Sequence, residues 1–287
     1  MVPNKSGVVG RAALIVIALS AVLAFCARVT SGEDYPFTAR SCLSSTSMRE
    51  IPEGKYLYEF TWNGVPSATG EVTISAENEG GQPFYYISGT ARTSAFADLF
   101  WRFRANALAV VDASSGRAKS IHVFDQENAR IKETETVFNY EAAEAYYQRW
   151  KKGKVRQKTL SLEHDTIDPA ALGLILSRQP LKVGDCNAMT VLVGDDSYAL
   201  EYRVTAHERV FAGESEFNAL RVEPTFHIIE EKRNKPPKVR QMTVWLSESE
   251  PRIPLKMRSK TFIGHVTCEL VGVIHEPSEI PPGTPNG

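Results

Sequence analysis

The chain has 287 residues, and its 33 basic and 34 acidic side chains leave a net charge of −1 at pH 7. This near-neutral balance excludes a general nucleic-acid binder, which usually carries a basic surplus. Four cysteines are too few for a disulfide-rich scaffold, and no pair has the spacing of metal ligands.

The first 32 residues predict an export signal. Lys5 and Arg11 precede an apolar run at residues 12–25, interrupted only by Ser20, which is short for a bilayer span but suits the core of a signal peptide. Cleavage is expected within residues 24–32, and a retained anchoring helix is the alternative. The signal predicts a protein of the periplasm or cell envelope.

A second export feature is Cys26, which stands where a bacterial lipoprotein carries its acylated cysteine. The preceding Leu-Ala-Phe resembles a lipobox at two positions, but Phe25 departs from it because that position is normally small. Lipidation would anchor the protein to a membrane. The alternative is that Cys26 is removed with the signal.

Residues 33–52 are polar and rich in serine, and they predict an irregular lead-in. If Cys26 is removed, Cys42, Cys186 and Cys268 remain, an odd number for an oxidising compartment. One disulfide and one free thiol is the simplest outcome, and the sequence leaves the pairing open.

A domain predicted over residues 53–275 opens with an aromatic strand at 55–62. Tyr56, Tyr58, Phe60 and Trp62 share one parity in it, and Asn63-Gly64 then gives a strong hairpin signal. Further strands are predicted at 70–75, 84–92, 104–111, 119–125 and 131–138. Residues 141–148 are rich in Glu and Ala and predict a turn or short helical insertion, followed by a basic, solvated strand and turn at 151–158.

Two short helices interrupt the strands. At residues 95–103 the spacing of Phe96, Leu99, Phe100 and Phe103 places all four on one helical face. The second helix is better specified, because Asp168 is a good N-cap and Pro169 suits the first helical position. It is predicted to end near Arg178 and to lie over the sheet or plug an opening. Its apolar stripe consists of Leu172, Ile175 and Leu176.

The second half of the domain predicts an antiparallel meander. Strands are expected at 188–193, 200–211, 217–224, 225–230, 239–246, 253–260 and 265–274. Ile253, Leu255 and Met257 alternate with polar residues, as do Val266, Cys268, Leu270 and Ile274, which indicates one buried and one wet face. Residues 276–287 have four prolines and predict a disordered tail.

About a dozen strands must curl to protect their edges. The predicted fold is therefore all-β and mainly antiparallel, a rolled sheet or β-barrel-like single domain with two short helices.

Several short motifs in this order resemble an uncharacterised family of exported bacterial β-proteins, domain of unknown function 3108. They are Gly54, Tyr58, Trp62-x-Gly64 and Gly70, then Asp168-Pro169 with Arg178, Pro180-Leu181-x-Val183-Gly184-Asp185, Gly213-x-x-x-Phe217-Asn218-Ala219-Leu220-x-Val222, Val244-Trp245-Leu246-Ser247, Arg252-Ile253-Pro254-Leu255 and Gly264-x-Val266. Together they span about residues 52–272. The resemblance implies a secreted, β-barrel-like envelope domain, and it brings no established activity, so no catalytic residue is carried over.

The densest cluster of reactive groups is Glu163, His164, Asp165 and Asp168. Carboxylates and an imidazole this close could bind a divalent metal or perform acid–base chemistry. Acidic residues before a helix are also what its dipole favours, and Asp168 is explained as a cap. No nucleophile or phosphate-binding motif is present. We therefore predict no catalytic residue and no cofactor, with His164 and Asp165 as weak metal candidates.

The aromatic residues have two interpretations: ordinary core, or the lining of an apolar cavity inside the roll. In the second interpretation the ligand-binding candidates are Trp62, Phe96, Phe100, Phe103 and Trp245. A cationic strand face (Lys256, Arg258, Lys260) could meet anionic headgroups, although a solvated face is the simpler interpretation.

Three functional hypotheses follow. The first is a non-enzymatic envelope protein that binds or carries a lipid or other amphiphile, or assists envelope assembly with a protein partner. The second is a structural or protein-interaction module. The third is a metal-dependent or hydrolytic enzyme centred on His164 and Asp165. No nucleic-acid partner is expected, and membrane association is expected only if Cys26 is acylated or the N-terminal helix is retained.

Overall fold

The computed structural model describes residues 53–163, 166–229, 240–261 and 264–275. The predicted signal segment with Cys26, the lead-in with Cys42, the tail at 276–287, and both His164 and Asp165 lie outside the described residues.

Fourteen strands and two short helices make up the described part of the chain. The first eight strands are β1 (Gly54–Trp62), β2 (Val65–Glu79), β3 (Gln82–Thr93), β4 (Phe103–Asp112), β5 (Ala118–Glu127), β6 (Arg130–Asn139), β7 (Glu144–Lys151) and β8 (Lys154–Ser161). The remaining six are β9 (Cys186–Val193), β10 (Asp196–Ala212), β11 (Ser215–Ile228), β12 (Arg240–Ser247), β13 (Pro254–Lys260) and β14 (His265–Ile274). The helices are α1 (Ala95–Asp98), between β3 and β4, and α2 (Pro169–Arg178), between β8 and β9.

All fourteen strands form one antiparallel sheet in the order β8-β7-β6-β5-β4-β3-β2-β1-β14-β13-β12-β11-β10-β9. It consists of two meanders, β1–β8 and β9–β14, that join where β1 pairs with β14. Within each meander, strands that follow one another in sequence pair with one another, most of them through short turns. Helix α1 lies in the longer β3–β4 connection, and α2 lies in the connection between the two edge strands, β8 and β9. In the β1–β2 turn Asn63 and Gly64 both have positive φ, as a two-residue hairpin turn requires. The predicted all-β fold class is confirmed.

Alternation of side chains places the core on one face of the sheet. Tyr56, Tyr58 and Phe60 of β1 are buried, as are Leu255 and Met257 of β13. The predicted burial of Ile274 is wrong, because this side chain is 51% exposed. The register between β1 and β14 shifts after Leu57, so that Val271 has no opposite residue in β1. This bulge ends the regular alternation of buried and exposed side chains in β14.

Helix α2 lies inside the roll and contacts strands of both meanders. Asp168 caps it by accepting a hydrogen bond from Ala171 N, and its other oxygen accepts one from Ala118 N on β5, both at 2.9 Å. At the far end the guanidinium of Arg178 lies over the ring of Tyr85 on β3, 5.1 Å from its centroid. The predicted helix is present, and Asp168 is its N-cap, as the sequence indicates.

The two edge strands, β8 and β9, approach one another without pairing. Lys158 of β8 reaches Asp195 in the β9–β10 turn. The chain after β8 then covers the edge of β9 through two backbone hydrogen bonds. Ile167 N donates to Thr190 O (2.9 Å), and Leu192 N donates to Ile167 O (3.0 Å). The sheet is therefore rolled and open, with a short seam between its edges.

Three predicted elements differ from the structure. The turn or short helical insertion expected at 141–148 is a turn only at 141–143. Strand β7 begins at Glu144, because pairing with β6 and β8 on both sides overrides the helix-favouring Glu and Ala content of this stretch. The strands expected at 217–224 and 225–230 are one continuous strand, β11. Helix α1 ends at Asp98, and Phe103 belongs to β4, where it pairs with Glu127.

Candidate functional site

An apolar cavity of about 40 Å³ lies between α2 and the strands β10–β13. Its floor consists of inward-facing side chains of the second meander, and its roof is one face of α2. The lining residues are Leu172, Gly173, Leu176, Ser177, Leu200, Tyr202, Val222, Pro224, Phe226, Val244, Leu246, Arg252, Pro254 and Met257.

One residue of α2 lines the cavity without adding side-chain volume to it. Gly173 faces the cavity in the middle of α2 and has no side chain to fill it. Glycine in a helix interior costs about 1 kcal/mol relative to alanine. Asp168 and Pro169 offset part of that cost by fixing the start of the helix.

Arg252, in the β12–β13 loop, is the charged residue of the cavity lining. Its side chain is only 6% exposed. Nη1 donates to Gln179 O (2.6 Å) and contacts Glu250 Oε1 (3.1 Å), which holds the guanidinium at the C-terminal end of α2. Its buried Nε has no hydrogen-bond acceptor within the described part of the chain. A buried N–H donor without an acceptor is costly, so this atom is suited to a ligand oxygen.

Polar groups around Arg252 fix the geometry of this end of the cavity. Arg252 N donates to Ser177 O of α2 at 2.9 Å. The hydroxyl of Tyr202 on β10 donates to Gln179 Oε1 at 3.0 Å. The β12–β13 loop, α2 and β10 are thereby joined where the cavity meets its polar end.

The arrangement combines an apolar space with one cationic donor group. A cavity of about 40 Å³ holds only a short apolar segment. A longer chain requires α2 to move away from the sheet, and the C-terminal half of α2 is only half-buried.

The interpretation of the first helix as core or cavity lining is wrong. Phe96, Leu99 and Phe100 are 59%, 77% and 78% exposed. Their spacing is helical, but α1 has only four residues and lies in the β3–β4 connection at one end of the sheet, where no strand covers it.

The other ligand-binding candidates also lie away from the cavity. Trp62 is partly exposed at the end of β1, and Phe103 stacks on Trp101 at 5.2 Å. Trp245 lies on the opposite face of β12 from Val244 and Leu246, and its Nε1 donates to Glu208 Oε2 (2.6 Å). Their part in ligand binding stays a prediction.

The alternation of apolar and polar residues along β10, β11 and β12 indicates which side chains face the cavity. Gly173, inside an otherwise apolar helix, also indicates free space beside α2. In the sequence Arg252 stands out only as part of the motif Arg252-Ile253-Pro254-Leu255. Nothing local in the sequence indicates that its side chain turns inward.

The acidic residues beside α2 have structural partners. Glu163 Oε2 accepts from Thr190 Oγ1 at 3.1 Å, and Asp168 is fully buried. Burial raises the pKa of Asp168, against hydrogen bonds from the Ala171 and Ala118 amides that lower it. No group of three potential metal ligands lies together in the described ranges. The hypothesis centred on His164 and Asp165 stays a prediction.

The two cysteines of the described domain, Cys186 and Cys268, are free thiols. Cys268 is fully buried in β14, as its parity predicted, and burial raises the pKa of its thiol well above the ordinary value. Lys256 of the cationic strand face pairs with Glu269, as expected for a solvated face. Over the described ranges, no helix has both the length and the apolar character needed to cross a bilayer.

Comparison with known proteins supports the fold. A family model described as "Protein of unknown function (DUF3108)" matches residues 57–271, in agreement with the resemblance drawn from the motifs. No curated protein matches the chain. The crystal structure of a β-barrel-like protein of domain of unknown function DUF1849 from Brucella abortus has a TM-score of 0.51 at 11% identity, covering 80% of this chain and 100% of that one.

Two further solved structures are less similar. One, from Bacteroides fragilis NCTC 9343, has a fold described as YmcC-like, with a TM-score of 0.36 at 7% identity over 78% of this chain and 96% of that one. The other is the hypothetical lipoprotein YmcC from Escherichia coli (K12), with a TM-score of 0.29 at 9% identity over 79% and 86%. At these TM-scores neither structure supports a conclusion about this chain.

Proposed function

We propose, from the premise that this chain belongs to the DUF3108 family of proteins of unknown function, that its rolled sheet binds an amphiphile. The apolar part of the ligand enters between α2 and β10–β13, and an oxygen of its polar head accepts a hydrogen bond from Arg252 Nε. We expect this activity in the cell envelope, where amphiphiles are abundant, because the sequence predicts an export signal.

The observation that carries the proposal is the buried Nε of Arg252 beside an apolar cavity. Protein interiors rarely leave a charged donor without an acceptor. An amphiphile satisfies both halves of the site, because its chain fills apolar space and its carboxylate or phosphate is an anionic acceptor.

Native mass spectrometry of the full chain purified from its own envelope tests the proposal. We expect a bound amphiphile on the wild-type protein. Gly173→Val adds a side chain in the cavity and should remove the bound species, whereas Arg252→Lys keeps the charge, loses Nε and should reduce occupancy.

A matched control is Ile175→Val on the same helix, because Ile175 is not part of the cavity lining. This variant should retain the ligand. Thermal denaturation of all variants separates loss of ligand from loss of fold. A wild-type protein without bound amphiphile, or equal occupancy in Gly173→Val and wild type, contradicts the proposal.

A further inference from the structure

A cluster of exposed apolar side chains projects from the β3–β4 connection. We call Phe96, Leu99 and Phe100 the apolar tip. The two phenylalanine rings contact each other edge to face, with centroids 5.7 Å apart. Large side chains this exposed and this close together usually mark an interaction surface.

The apolar surface continues onto the neighbouring hairpin. Ser94 N, at the start of α1, donates to Ser67 O of β2 at 2.8 Å, which places the β1–β2 turn beside the apolar tip. Trp62 and Val65, which face each other across this turn, are 39% and 48% exposed.

The apolar tip is held by buried and charged contacts beneath it. Asp98 forms an ion pair with Arg104 of β4, with an Nη1–Oδ1 distance of 3.0 Å, and accepts from the hydroxyl of Thr93. Arg104 Nη1 also donates to Thr93 Oγ1 at 2.9 Å. Ser94 caps the helix through Ala97 N. The backbone is thus fixed on the sheet while the apolar side chains point away from it.

Basic side chains extend from the apolar tip along the same end of the sheet, on the side of strands β4 to β8. Asn128, in the β5–β6 turn, is joined to Arg102 by two hydrogen bonds of 2.8 and 2.9 Å. The β7–β8 turn lies next to the β5–β6 turn, because Lys132 of β6 is opposite Lys151 of β7 in the strand register, and Lys151 is opposite Lys154 of β8. We call the five cations of these turns the basic rim: Arg102, Arg130, Lys151, Lys152 and Lys154.

The five cations of the basic rim outnumber the carboxylates beside them, Asp125 and Glu127. Nearby carboxylates have other partners: Asp125 pairs with Lys132 at 2.6 Å, and Glu127 accepts from Trp101 Nε1 at 3.2 Å. No residue of the rim forms an ion pair with a carboxylate in the described ranges. Burial, and next the charge of Lys132, lower the pKa of Lys151.

We propose that this end of the rolled sheet docks on an anionic lipid surface, with the apolar tip inserted at the acyl boundary and the basic rim against headgroup phosphates. Apolar side chains with a row of cations beside them match the chemistry of such a surface. A stable protein interface buries about 800 Å² per partner, far more than three side chains supply. The proposal does not depend on the amphiphile site.

Vesicle sedimentation tests the proposal, with the full chain and vesicles of phosphatidylcholine alone or mixed with phosphatidylglycerol. Wild-type protein should bind the mixed vesicles much more tightly, and salt should weaken this preference. The triple variant Phe96→Ser, Leu99→Ser, Phe100→Ser should bind about tenfold more weakly or worse. Lys151→Gln, Lys152→Gln, Lys154→Gln should lower the preference for anionic vesicles by about a hundredfold.

Matched controls lie at the opposite end of the sheet. Phe211→Ser removes an equally exposed phenylalanine, and Lys182→Gln, Arg203→Gln, Arg209→Gln removes the same charge. Both controls should bind like wild type. Any N-terminal anchor is common to all variants and cancels in the comparison.

Insertion is measured separately with tryptophan substitutions and lipids brominated on their acyl chains. The additional fluorescence of Phe100→Trp should be quenched on mixed vesicles, whereas that of Phe211→Trp should not. Equal preference for anionic vesicles in wild type and the lysine triple variant, or an unquenched Phe100→Trp, overturns the proposal.

Discussion

Lys158 Nζ and Asp195 Oδ2 lie 2.6 Å apart, and this ion pair joins strand β8 to the β9–β10 turn across the seam of the sheet. Asp195 is almost fully buried, with Arg156 as a more distant second cation at 3.8 Å. Because β8 and β9 do not pair, this contact and the Ile167 bridge hold the two edges together.

Lys158→Met should therefore loosen the seam. We expect a loss of about 1 to 2 kcal/mol in the free energy of unfolding, since the buried Asp195 carboxylate loses its closest cation. Urea denaturation measures this loss, and hydrogen exchange should quicken in β8. Lys154→Met, exposed on the same strand, is the control. Unchanged exchange in β8 would show that the ion pair does not hold the seam.

Leu246→Ala should enlarge the cavity beneath α2. Leu246 is fully buried and lines the cavity, so the expected cost is about 2 to 5 kcal/mol in the free energy of unfolding. A small apolar compound should restore part of this stability, as measured by thermal denaturation with and without it. Val271→Ala, at a half-exposed position, should cost much less. Similar losses in both variants would argue against a well-packed cavity wall.

Asp168 gives one pH prediction. Burial raises its pKa in the folded protein, so the folded state binds more protons than the unfolded chain above the unfolded value of about 4. Its contribution to stability is complete below that pH and declines as pH rises. The difference in unfolding free energy between wild type and Asp168→Asn should therefore decrease between about pH 4 and pH 7. A difference that stays flat or increases would contradict a raised pKa.

Asp98 gives the opposite prediction. Hydrogen bonds from Arg104, and next from Thr93, lower its pKa to about 2. The stability it contributes is complete above the unfolded value of about 4 and is lost as pH falls towards 2. Compared with Asp98→Asn, the wild-type protein should lose stability over that range, as measured by urea denaturation at each pH. Equal pH dependence of the two proteins would remove Asp98 as an electrostatic anchor of α1.

The thiol of Cys268 should resist modification in the folded protein. It is fully buried, and its pKa is raised, so little reactive thiolate forms at neutral pH. In a background with Cys26, Cys42 and Cys186 replaced by Ser, a thiol reagent should reach Cys268 only as fast as the protein unfolds, and its rate should rise with urea. Rapid labelling without denaturant would mean that β14 opens far more readily than its position in the sheet implies.

Sequence patterns predict most of this fold, because alternating burial is a local property. Tyr56, Tyr58 and Phe60 share a parity that is visible in the sequence, and Asp168-Pro169 is a local signal for the start of a helix. The failures come from non-local causes. Residues 141–148 contain Glu and Ala, which favour helix, but from Glu144 onwards they form a strand because two neighbouring strands pair with them. Phe103 leaves the helical pattern because it pairs with Glu127.

The cavity is less predictable than the fold. Its walls come from α2, four strands of the second meander and one loop, and no stretch of sequence contains them together. Arg252 enters the lining only because its Nη1 reaches Gln179 O, 73 residues away in sequence. The exposure of Phe96 and Phe100 has the same origin, since an apolar pattern indicates burial only if another element covers it.

The central position of the β1–β14 pair has a consequence for rearranged genes. His275 Nδ1 lies 3.3 Å from Glu53 O, so the first and last residues of the described domain are neighbours. A short peptide linking them, with new ends opened between β8 and α2, would give a circular permutant. In it each strand after the first would pair with its immediate predecessor, and the most distant pairing of the native order would become an ordinary hairpin.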